Sequence, residues 1–93
     1  MEAAVQVFLK GADGEAIERA NVMALGKDKK PYGGQEVLRG IYQLPIPLEE
    51  EDKLYTFYVT SKKYIFACEK LIRFNSLITL KMPAPILRLI NYR

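Results

Sequence analysis

The residues whose types could do chemistry are Ser61, Ser76, Cys68 and the acidic run Glu49, Glu50, Glu51 and Asp52. A serine nucleophile needs a neighbouring base, and the 93-residue sequence contains no histidine at all. Spacing alone does not identify a Ser-Lys dyad. Cys68 is the single cysteine and lies in the apolar run "YIFACEKLI", so it reads as a small buried hydrophobe that cannot form an intrachain disulfide. The four acids are contiguous, and contiguous residues on a strand alternate faces. They would converge on a cation only from a loop, as a weak calcium site, and otherwise form a solvated hairpin tip. Neither G-x-x-x-x-G-K nor G-x-G-x-x-G occurs, and "GKDKKPYGG" reads as a surface loop rather than a phosphate cradle. The expectation is a protein that is not an enzyme, with no cofactor and no metal.

Binding chemistry has more to work with. Six of the ten aromatic residues are tyrosines. In "KLYTFYVT", period-2 alternation puts Tyr55, Phe57 and Val59 on one face and Leu54, Thr56 and Tyr58 on the other. One face must be core, which leaves the other as a platform. Tyr58, together with Tyr32 and Lys62, could stack on a sugar or a base. Lys27, Lys29, Lys30 and Lys63 are close in sequence, so a module binding carbohydrate or nucleic acid is one expected function. The net charge of +3 is unevenly spread: residues 53–93 carry one acid, Glu69, against eight bases, with the acidic run just before them. Lysines on outward faces and strand edges also block aggregation, and that reading needs no anionic partner.

The elements that would position these residues have a period near two. "VQVFLK", "ANVMAL", "QEVL", "IYQLPI", "KLYTFYVT", "YIFACEKLI" and "SLITLKM" read as seven short strands, separated by turn residues every eight to twelve positions or so. Within "IYQLPIP", Tyr42, Leu44 and Ile46 share a face, while Pro45 demands a sheet edge or a bulge because it donates no hydrogen bond. The length allows one domain, assigned to residues 1–83. Residues 84–93, "APILRLINYR", form a tail whose Ile86, Leu87, Leu89 and Ile90 are too apolar for a solvated end. That tail is expected to pack on the domain or on a neighbouring subunit, which makes self-association or a protein partner the leading expectation. No apolar run reaches the roughly 18–20 residues of a membrane span. No signal peptide is evident, so a cytoplasmic location is expected unless the chain is an excised piece of a secreted or surface protein.

The order "VFLKGADGEAIERANVMAL", glycine-rich loop, "RGIYQLPI", aromatic strand and "SLITLKM" resembles the transthyretin-like, or prealbumin-like, β-sandwiches. These include the carboxypeptidase regulatory-like domains and collagen-adhesin B-type repeats. The resemblance rests on a D-G-x-x-I turn (Asp13, Gly14, Ile17), Ala20 two residues before Val22, and "GIYQL" from Gly40. It implies an all-β, seven-stranded antiparallel Greek-key β-sandwich acting as a non-catalytic module for protein interaction or assembly. The histidines and the tyrosine-arginine-glycine-serine tail of the hydroxyisourate hydrolases are missing here, where the chain ends Asn91, Tyr92, Arg93. An adhesin-type isopeptide would join Lys10 to an asparagine of the last strand, but Asn75 precedes "SLITLKM" and Lys10 alternates away from Val5, Val7 and Leu9.

Overall fold

Alternation of apolar and polar residues governs the chain from its first described strand. The computed structural model describes residues 5–47, 53–72 and 77–83. Among them are eight strands and no helix: β1 (Val5–Lys10), β2 (Asn21–Leu25), β3 (Pro31–Gly33), β4 (Gln35–Leu38), β5 (Ile41–Leu44), β6 (Lys53–Thr60), β7 (Ile65–Ile72) and β8 (Leu77–Lys81). They form two four-stranded sheets, ordered β4-β5-β1-β8 and β3-β2-β6-β7.

The two sheets share one core. β1 contributes Val5, Val7 and Leu9, β5 contributes Tyr42 and Leu44, and β8 contributes Ile78 and Leu80. From the other sheet come Val22 and Ala24 of β2, Tyr55, Phe57 and Val59 of β6, and Ile72 of β7. Each set is every second residue of its strand, the consequence of a pleat that sends successive side chains to opposite faces. Burying each of the larger apolar side chains favours the folded state by about 1.5–3 kcal/mol. The chain crosses between sheets four times, after β1, β3, β5 and β7, while β2-β3, β4-β5 and β6-β7 are antiparallel neighbours.

Three expectations need correction. The segment "GKDKKPYGG" is not loop throughout: Pro31–Gly33 pairs with β2 as an eighth strand, Ala24 opposite Tyr32. Pro31 tolerates this because β3 lies at the edge of its sheet, where a missing N–H costs no ladder bond. The sheets are also not wholly antiparallel, since β8 runs parallel to β1, from Gln6 opposite Leu77 to Lys10 opposite Lys81. The crossing that follows β7 returns the chain in the direction of β1. Finally, β5 is an interior strand between β4 and β1. It ends at Leu44, so Pro45 lies beyond the ladder and needs neither edge nor bulge; the N–H of Ile46 turns back onto the carbonyl of Leu44 at 2.8 Å. The alternation itself held, for Tyr42, Leu44 and Ile46 are all buried.

Candidate functional site

The outer face of the β3-β2-β6-β7 sheet is built by the residues the core leaves behind. Register places Met23 beside Tyr58 and Tyr58 beside Ala67; Leu25 beside Thr56 and Thr56 beside Glu69; Leu54 beside Leu71; and Thr60 beside Ile65. Met23, Leu54, Tyr58, Ile65 and Leu71 are exposed, Ile65 at 68 % and Leu71 at 59 %. Glu69 is the one charged residue that the described parts of these strands place on this face. The other sheet differs. Its outer face carries the row Gln35, Gln43, Gln6 and the exposed Leu77, then the exposed Leu38 beside Ile41 and Phe8, and the lysine pair Lys10 and Lys81. Scattered exposed apolar residues are ordinary on a soluble protein, whereas a contiguous patch marks a contact surface.

A second feature lies at one end of the molecule. The Gly11–Ala20 connection and the Ser61–Tyr64 turn enclose an open cleft of about 480 Å³, lined by Asp13, Glu15 and Glu18 on one side and Ser61, Lys62, Lys63 and Tyr64 on the other. Ser61 Oγ accepts the N–H groups of Lys63 and Tyr64, each at 3.2 Å, which closes the turn and occupies the hydroxyl. Its charges are mixed in sign, so the cleft has no single electrostatic preference.

The connection itself is fastened from below. The buried Tyr42 hydroxyl donates to the carbonyl of Ile17 at 2.8 Å and accepts from the N–H of Ala20 at 3.1 Å. Loss of solvent raises the Tyr42 pKa above its usual 10.0 despite the Ala20 bond. Glu36 accepts the N–H of Arg19 on Oε1 at 2.9 Å and that of Gly40 on Oε2 at 3.1 Å. These bonds, the Arg19 one foremost, hold the partly exposed carboxyl below its ordinary pKa of 4.5. A carboxylate with a lowered folded-state pKa adds stability that is complete above its unfolded value and is lost as pH falls through the folded one. Glu36→Gln should therefore cost about 1 kcal/mol at neutral pH. The gap between variant and wild type should narrow as pH drops below 4.5, as read by urea denaturation across that range.

The residues singled out from the sequence do not converge. Tyr58 stands on the outer face of its sheet. Tyr32 lies on the inner side, packed edge-on against Tyr55 with ring centroids 6.2 Å apart and Lys30 Nζ 5.9 Å over its ring. Lys62 is in the cleft at the end of the molecule. The three therefore form no common stacking platform. Ile86, Leu87, Leu89 and Ile90, the acidic run, Asn75 and Ser76 lie outside the described residues. Lys10 faces Lys81 across the ladder. Cys68 is half-buried against the core, and burial raises its thiol pKa. Among the described residues no three acids or thiols cluster as metal ligands, and no helix is long and apolar enough to cross a membrane.

The fasteners Glu36 and Tyr42 escaped sequence reasoning as functional positions. Tyr42 carried a signal, since a tyrosine in a core alternation must find a partner for its hydroxyl. Glu36 carried none, because its Oε1 is used across 17 residues by a loop whose path no local pattern gives. No family model matches the chain, no curated protein matches its sequence, and no solved structure matches its fold.

Proposed function

We propose that this chain is a non-catalytic module for protein interaction or assembly, built as a Greek-key β-sandwich of the transthyretin-like type. One observation carries the functional reading: a largely apolar surface spans the described outer face of the β3-β2-β6-β7 sheet, where Asn21, Thr56 and Thr60 are polar and Glu69 is the one charge. The four crossings between sheets support the Greek-key part of the reading. The fastened D-G-x-x-I connection, with Tyr42 holding Ile17 and Ala20, supports the likeness.

A face of this kind gains free energy when it leaves water, at about 25 cal/mol per Å² of apolar area. Met23 and Tyr58 are adjacent at its middle and contribute nothing to the core. The double variant Met23→Lys with Tyr58→Lys should keep the wild-type melting temperature of the isolated monomer. It should lose the partner protein that the wild type retains through this face in sedimentation and chemical cross-linking. Identical association by variant and wild type would contradict the reading.

A further inference from the structure

The largely apolar face extends to the outer edge of β7, where Glu69 is its one charge among the described residues. β7 pairs with β6 on one side over all eight of its residues, and among the described residues no strand pairs with its other side. Natural edge strands are usually short or carry proline, a bulge or inward charge to prevent pairing. β3 and β4 follow that rule, with three residues including Pro31 and with a register shift between Glu36 and Leu38. β7 is longer than either and pairs with β6 without a bulge; it exposes Ile65 and Leu71, with Lys70 on its core side and Glu69 on its outer side as its charges.

The phase of its ladder is fixed by one bond. The N–H of Ser61 donates to the carbonyl of Tyr64 at 2.9 Å, so Ser61 and Tyr64 form a hydrogen-bonded pair. Such pairs alternate with non-bonded ones in an antiparallel ladder. Val59-Phe66, Phe57-Cys68 and Tyr55-Lys70 are consequently bonded pairs. The N–H and C=O groups of Ile65, Ala67, Glu69 and Leu71 then point away from β6, into the open edge.

We propose that this edge pairs with β7 of a second copy, antiparallel across a two-fold axis at Cys68. The proposal goes beyond the interaction reading above: its partner is a second copy, held at the β7 edge rather than through Met23 and Tyr58 on β2 and β6. Opposed residues in an antiparallel pair share a face, so only registers centred on a single residue satisfy the pleat. Centring on Glu69 or Lys70 sets like charges face to face, and centring on Ala67 puts Ile65 against Glu69. Centring on Cys68 opposes Ile65 with Leu71 twice, Ala67 with Glu69, and Phe66 with Lys70, with no like charges opposed. The result is one continuous eight-stranded sheet whose apolar outer face is shared by both copies. Cys68 meets its symmetry mate at a non-bonded pair, where Cα atoms lie about 4.5 Å apart, within the range a disulfide can bridge.

Sedimentation velocity over a wide concentration range is to be compared for the wild type, Ile65→Lys and the Met23→Lys, Tyr58→Lys double variant. Diamide oxidation of the wild type is analysed alongside. The expected result is a wild-type dimer whose dissociation constant rises roughly tenfold or more in Ile65→Lys, because symmetry repeats each lost contact. Diamide should link two copies through Cys68, with release by dithiothreitol and no link in Cys68→Ser. Ile65 is solvent-exposed, so the monomer should unfold at the wild-type denaturant midpoint. A wild type that stays monomeric, or a dimer untouched by Ile65→Lys and unlinked by diamide, overturns the pairing. Association lost only in the double variant also overturns it while leaving the interaction reading standing. Association unaffected by any variant overturns both.

Discussion

Gly40→Val is expected to lower the folding free energy by about 2–5 kcal/mol, adding left-handed backbone strain of roughly 1–2 to overpacking of roughly 1–3. Gly40 turns the chain between β4 and β5 at φ +77°, a conformation that a β-branched residue rarely adopts. A Cβ there would lie 2.7 Å from Ala16 Cβ and 3.3 Å from Phe8 Cε1, so the new side chain would meet the β1-β2 connection directly. Gly40 also bonds through both its backbone groups, its N–H to Glu36 and its carbonyl to the N–H of Leu9. A small domain holds only about 5–15 kcal/mol in total, so the variant should be partly unfolded at physiological temperature. Urea denaturation checks the cost, and Gly33→Ala is the control, since its Cβ would meet nothing within 4 Å. Adding Ala16→Gly to Gly40→Ala should recover the steric part and leave the strain. A Gly40→Val protein as stable as wild type would mean that the turn does not have this geometry.

Tyr42→Ala should cost about 3–5 kcal/mol, the range for emptying an aromatic core site. The side chain is 1 % exposed and among the largest in the core. Tyr42→Phe separates the hydroxyl from the ring: it keeps the packing but leaves the Ile17 carbonyl and the Ala20 N–H without their partner, at about 1–3 kcal/mol. Because burial raises the folded-state pKa of Tyr42, its neutral form adds stability that is complete below pH 10.0 and is lost as pH rises through the higher folded value. Wild type should thus lose its advantage over Tyr42→Phe in strong alkali. Amide exchange at Ala20 should quicken in Tyr42→Phe even at neutral pH. Equal stability and unchanged exchange would show that the connection is held by other contacts.

The strands were legible where one face is apolar and the other is not, because the pleat writes its period into the sequence. In β1, Val5, Val7 and Leu9 are buried and Gln6, Phe8 and Lys10 are not. β3 was hidden by its composition: Pro31 and two glycines resemble a loop, and only an edge position makes Pro31-Tyr32-Gly33 a strand. The parallel β1-β8 pairing is a property of how the chain crosses between sheets, and no local pattern records it. The outer face was ambiguous for a different reason. In β6 and β7 both alternating sets are largely apolar, so Tyr58 could be recognised as lying opposite Phe57 without showing which residues would stand beside it. Met23, Leu71 and Ile65 joined it through register, and Tyr32 left it because β3 pairs so as to turn that ring inward.

Hydrogen exchange along β7 tests the central claim, that this sheet edge is a covered interface, most directly. The amides of Phe66, Cys68 and Lys70 face β6 and should be protected whether or not a partner is present. Those of Ala67 and Glu69 face the open edge. They should show protection that grows with protein concentration and falls in Ile65→Lys. Ala67 and Glu69 amides exchanging at unprotected rates at every concentration, beside protected Phe66 and Cys68, would contradict the account.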